Sequence, residues 1–96
     1  MYQLEILLLA QIDVQDISDY YKRISHKLRD KFLSDLKLNL EKIKLNPKAF
    51  QIKYKEVRVT FIKGFPYGIF YKIYGENIKV IAVVHTSRNP SLWKNR

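Results

Sequence analysis

The chain contains no cysteine, so it forms no disulfide, offers no thiolate nucleophile and builds no cysteine-ligated metal site. That absence agrees with a reducing cytoplasm, the expected compartment. Glycine and proline are scarce, three of each in 96 residues, which leaves little material for linkers or low-complexity segments. Long apolar runs are missing as well. The most apolar stretch near the start, Ile6 to Ala10, falls well short of the roughly 20 residues a membrane span needs. It has neither the basic residues before it nor the small-residue cleavage site after it that mark a signal peptide. Neither membrane insertion nor export is therefore expected. The two histidines, His26 and His85, are far apart, and no acidic residue accompanies His85 in the tail. With no nucleotide-binding glycine loop and no catalytic triad either, neither a metal nor an organic cofactor is expected.

What is present fits one globular domain spanning 1–96, with 47% hydrophobic and 14% aromatic residues. A chain of this size buries roughly 60–65% of the surface it exposes when unfolded, enough for one modest core. Acidic residues are what the second half lacks. Met1 to Asn46 carries a net +1, whereas Pro47 to Arg96 carries +8 of the total +9. Positive charge gathered in this way attracts an acidic partner, either nucleic acid phosphate or an acidic protein segment.

Tyr2 to Leu9 begins with period-two alternation and runs into continuous apolar residues, which predicts a first strand entering a core. Asp13, with Asp16 three residues on, predicts the N-cap of a helix. Ile17, Tyr20, Tyr21, Ile24, Leu28, Phe32, Leu36, Leu40 and Ile43 then recur at helical spacing. A single helix of that length would protrude from so small a domain, so a break is expected near Ser25-His26, giving a helical hairpin. Asn46-Pro47 ends it. Thereafter the period becomes two: strands over Glu56–Lys63, Tyr67–Tyr74 and Ile78–His85, separated by turns at Gly64 and Gly75-Glu76-Asn77, make an antiparallel meander. The fold class is α+β, with one strand, a helical hairpin and a three-stranded meander, the helices packed on one sheet face. The other face and the tail from His85 to Trp93 are where a site is expected.

Two constellations carry chemistry. In the tail, His85 and Arg88 stand close to Trp93, a combination suited to acid–base work on RNA or to gripping an acidic surface. Trp93 can instead seal the core, and that reading is the stronger one. On the meander, Arg58 is a charge inside an otherwise apolar strand, and alternation turns it away from Val57 and Val59, toward the face the helices leave open. With Lys53, Lys55 and Lys63 it forms a basic stripe for phosphates or carboxylates. His26 reads as a boundary or surface residue.

Leu4-Glu5-Ile6 with Ala10, Tyr20-Tyr21, Lys55-Glu-Val-Arg58, Phe65-Pro-Tyr67, Ile69-Phe-Tyr71 and His85-Thr-Ser-Arg-Asn-Pro90, in that order and spacing, resemble toxins of the RelE/ParE type. The resemblance covers nearly the whole chain. It implies a compact sheet with a helical hairpin and a cognate antitoxin whose extended or helical segment wraps it in a hetero-oligomer. It further implies one of two activities. Some relatives cleave ribosome-bound mRNA without a metal, using basic residues on the sheet and a tail tyrosine or histidine; ParE members poison DNA gyrase without chemistry of their own. In the first case His85, Arg88 and Arg58 would be the catalytic residues. In either case Lys53, Lys55, Arg58, Lys63, Arg88 and Trp93 are the candidate contacts to partner or nucleic acid. The strand arginine usual in the ribonucleases falls here at Gly68 and their tail tyrosine at Trp93, which has only an N–H donor and cannot act as a base. Inhibition of gyrase is therefore the favoured reading and ribosome-dependent cleavage of mRNA the alternative.

Overall fold

The computed structural model describes residues 1–96. Strand β1 (Gln3–Ile6) leads into helices α1 (Leu8–Ile24) and α2 (His26–Leu45) and a 3-10 turn at Pro47–Ala49. Strands β2 (Gln51–Tyr54), β3 (Val57–Phe61), β4 (Tyr67–Tyr74) and β5 (Asn77–His85) follow, and the short helix α3 (Ser91–Lys94) closes the chain. The five strands form one sheet in the order β1-β5-β4-β3-β2, with β1 parallel to β5 and every other pair antiparallel. The α+β reading holds, with one strand more than the sequence predicts.

The two helices pack on one sheet face. Ala10, Ile17 and Tyr21 of α1 and Phe32, Leu36 and Ile43 of α2 meet Ile69, Tyr71, Ile78, Val80 and Val83 of the sheet in the larger core. The break between the helices falls at Ser25, whose backbone is extended (φ −167°, ψ 133°) and whose hydroxyl accepts from the Leu28 N–H at 3.3 Å. That side chain satisfies one of the donors a helix start leaves unpaired.

The first helix begins earlier than expected. Asp13 is not its N-cap: α1 starts at Leu8, preceded by Leu7, and no side chain caps it. A short apolar run such as Leu7-Leu8-Leu9-Ala10 is compatible with strand or helix, and leucine and alanine are strong helix formers. Ala10 decides the matter, because it opens the helical stripe that continues through Ile17 and Tyr21 into the core. Asp13 thereby moves from the helix terminus to its middle, on the side facing the sheet.

Strand β2 has no counterpart in the sequence reading. It is an edge strand, exposed over Gln51–Lys53, irregular in its pairing between Ile52 and Tyr54, and joined to β3 through Lys55-Glu56. Lys55 adopts φ 51°, a left-handed conformation that usually calls for glycine or asparagine. Without either residue, the hairpin leaves no sequence signal.

The face away from the helices is not open. Val57, Val59, Phe70, Ile81, Ala82 and Trp93 form a second, smaller core there. Where Phe70 pairs with Ala82 and Tyr71 with Val80, Ile81 is the extra residue of a bulge in β5, and it joins Ala82 in this smaller core.

Candidate functional site: the tail groove

Strand β1 pairs with β5 only as far as Val80. Beyond that point the outer edge of β5 has no strand neighbour, and the chain after His85 turns back around it. A groove of about 650 Å³ lies between this tail and α1, lined by Asp13, Asp16 and Tyr20 from the helix, Tyr67 and His85 from the sheet, and Arg88 from the tail among others.

Each side of the groove is fixed by backbone hydrogen bonds. The Thr86 N–H donates to the Pro66 carbonyl at 2.8 Å and the Arg88 N–H to the His85 carbonyl at 3.0 Å, which folds the tail tightly past the end of the sheet. His85 Nδ1 accepts from the Ser87 N–H at 3.1 Å and lies 2.7 Å from the Ser87 hydroxyl. A nitrogen that accepts from an amide carries no hydrogen, so in the neutral ring the proton sits on Nε2. That ring also meets Tyr67 edge-on at 5.5 Å. Tyr67 in turn contacts Tyr21 and Phe32, so the aromatic core of the helical hairpin buttresses the histidine. Burial, and after it the neighbouring Tyr67 hydroxyl, pushes the Tyr21 phenol up to about 12. Tyr21 is therefore a neutral packing group and not a proton carrier.

Asp13 has a different use from the one its sequence position indicated. Its carboxylate accepts from the Val83 N–H at 3.0 Å and from both terminal nitrogens of Arg96. Arg96 also donates to the Ile81 carbonyl at 3.1 Å. These two side chains thus occupy the edge of β5 that β1 leaves unpaired. The signal for Asp13 was its spacing: once the helix starts at Leu8, a carboxylate three residues after Ala10 and four before Ile17 stands on the buried stripe, where it needs partners. Asp16, Tyr20 and Ser87 carry no comparable signal, since only the packing of tail against α1 brings them to the groove.

The residues singled out by sequence do not gather in one place. His85 and Arg88 line the groove together. Trp93 does not face it: only 3% exposed, it stacks on Phe70 with ring centroids 4.5 Å apart and meets Tyr54 edge-on. Arg58 corrects the expected geometry. It pairs across the sheet with Tyr71, whose side chain belongs to the helix-side core, so it points to the covered face and not the opposite one. There it donates to the carbonyls of Lys48 and Phe50 at 3.1 and 2.7 Å and holds down the segment leading into β2. The expected basic stripe is dispersed. Lys53 and Lys55 sit on the β2 edge and its turn, with Lys55 over the Tyr54 ring, whereas Lys63 joins Lys31 and Lys42 in a shallow depression beside α2. Gly68 lies under close contact, since an added Cβ would meet Val59 at 3.1 Å and Phe70 at 3.2 Å.

The family described as the ParE toxin of type II toxin–antitoxin systems, parDE, matches residues 4–90. No curated protein matches the sequence. Among solved structures, a chain of the chromosomal ParDE toxin–antitoxin system from P. aeruginosa superposes with a TM-score of 0.78 at 16% identity, over 88% of this chain and 96% of that one. At that identity the likeness speaks for the fold.

Proposed function

The chain belongs to the ParE toxin family of type II toxin–antitoxin systems, and from that premise we propose that it arrests growth by binding DNA gyrase through its tail groove, without chemistry of its own. The dispersal of the residues a ribonuclease would need carries this reading. Arg58 pairs with Tyr71 and His85 with Tyr67, four residues apart on β4 and on strands either side of it. At about 3.3 Å per residue and about 4.8 Å per strand, these two backbone positions stand roughly 16 Å apart. Arg58 is moreover engaged with two backbone carbonyls. Two further observations support the same reading. With Nδ1 held by Ser87, the nitrogen His85 has free presents a donor, which suits contact better than proton abstraction. An arginine at the position of Gly68 would have to displace Val59 and Phe70.

In this reading Arg88 supplies a persistent charge and a forked set of donors on the exposed tail. Tyr20, half exposed, adds an aromatic surface across the groove. A cognate antitoxin keeps the toxin silent in a hetero-oligomer, and the action belongs to the cytoplasm, where gyrase and DNA are. The test is a parallel assay of the purified protein on gyrase supercoiling and on mRNA in a translating extract. Inhibited supercoiling with intact mRNA is expected, together with a mild effect of His85→Gln and a larger one of Arg88→Ala. Ribosome-dependent mRNA cleavage that a folded His85→Gln variant abolishes would replace this reading with the ribonuclease.

A further inference from the structure

The tail is held at two points, one on each side of the sheet. Trp93 anchors α3 in the smaller core. Arg96, three residues on, reaches round the β5 edge to Asp13 on α1. Between the Thr86–Pro66 hydrogen bond and Trp93, the segment Ser87–Leu92 is exposed. Only turn hydrogen bonds shape it from within, among them Arg88 N–H to the His85 carbonyl and Leu92 N–H to the Asn89 carbonyl, and the four-residue helix α3 that follows is too short to persist alone.

The second anchor is built as a mutual dependence. Both partners are largely withdrawn from water, with side-chain exposures of 19% for Arg96 and 15% for Asp13. Without Arg96, a half-buried carboxylate would keep one amide donor and lose its counter-charge. Without Asp13, the Val83 N–H would lose its acceptor and the guanidinium its counter-charge, keeping only the Ile81 carbonyl. Such pairs are costly to break from either side, since each leaves the other uncompensated. The pair also fills the unpaired β5 edge at the Ile81 carbonyl and the Val83 N–H.

We propose that Asp13 and Arg96 are positioning residues for the toxic activity: their ion pair latches the tail across the β5 edge and fixes Arg88, beside the strand-held His85, in the arrangement the target reads. This rests on the reading above, in which the tail groove is the contact surface. Neither latch residue need touch the target. Their effect passes through the tail.

The only tryptophan in the chain reports on the same segment. Acrylamide quenching of Trp93 fluorescence therefore measures tail docking directly, alongside gyrase inhibition and growth arrest on induced expression. The set comprises Asp13→Asn, Arg96→Gln, their double variant and Arg96→Lys, each checked for an intact melting transition. Asp13→Asn and Arg96→Gln are expected to increase quenching and to raise the inhibitory concentration about tenfold, more than an exposed pair would give and less than full loss of a buried one. The double variant should be no worse than the more severe single, the signature of residues acting through one contact. Arg96→Lys, which keeps the charge without the fork, should recover part of both signals. The latch is overturned if the single effects add, if quenching is unchanged, or if an undocked tail leaves growth arrest intact. A wild-type protein that arrests growth without inhibiting gyrase would sink the target assignment instead, and the latch would then be judged on quenching and growth arrest.

Discussion

Tyr71 shows how much one side chain can organise. Fully buried, it donates its hydroxyl to the Pro47 carbonyl at 2.6 Å and so ties the end of the helical hairpin to the middle of the sheet. Burial pushes its phenol up to about 12 against the opposing pull of Arg58, and burial likewise pushes Tyr21 up to about 12. In both cases the folded state favours the protonated form relative to the unfolded value of 10.0. The stability that follows is fully present below pH 10 and is lost as pH rises through 12. Spectrophotometric titration should find two tyrosines ionising only with alkaline unfolding, and Tyr71→Phe should flatten the fall in stability over that range. At neutral pH the same variant should lose about 1–2 kcal/mol, because it strands a buried carbonyl. Trp93→Ala should cost about 3–5 kcal/mol in chemical denaturation, the range for emptying a large aromatic site. A loss of toxicity in that variant without such a loss of stability would mean that Trp93 acts by more than packing.

At the scale of elements, the two hairpins are closed by opposite means. The helical one turns at Ser25, an extended residue with a capping hydroxyl, and Ser25→Ala should lower stability by about 1 kcal/mol as read by thermal melting. The β2–β3 hairpin turns at Lys55 with φ 51° and no glycine. Left-handed backbone costs a side-chain-bearing residue about 1–2 kcal/mol, partly offset by the extra freedom glycine has when unfolded. Lys55→Gly should therefore stabilise the protein modestly, and a destabilised variant would show that the Lys55 contact with Tyr54 outweighs the strain.

For the molecule as a whole, the governing feature is charge. The residues from Pro47 onward carry +8, yet their lysines spread over the β2 edge, the β3–β4 turn and the tail instead of forming one patch. A field of that breadth acts on encounter more than on any one contact. The antitoxin segment that meets this surface is expected to be acidic, and its association rate should fall as ionic strength rises while dissociation changes less. Stopped-flow mixing across salt concentrations tests this, and a salt-independent association rate would exclude it.

The order of residues alone makes legible the elements whose signals lie close together in the chain. These are the helical stripe from Ile17 to Ile43, its break at Ser25, the stop at Pro47 and the alternation of β3, β4 and β5. The stripe and the alternation depend on the face a side chain presents within its own element, which backbone geometry sets; the stop depends on proline, and the break on a helix too long for so small a domain. Residue order also determined the family, through motifs spread along the chain. Tertiary structure decided everything that turned on which elements touch. Leu7 to Ala10 could be strand or helix until Ala10 met the core. Arg58 could face either side until the helices chose theirs, and β2 existed only once β3 offered it an edge. Asp13 and Arg96 stand 83 positions apart, and no local pattern links them. They meet because β1 stops at Ile6 and leaves the β5 edge bare, so that its carbonyl and amide, shut away from water, had to find partners wherever the fold could bring them.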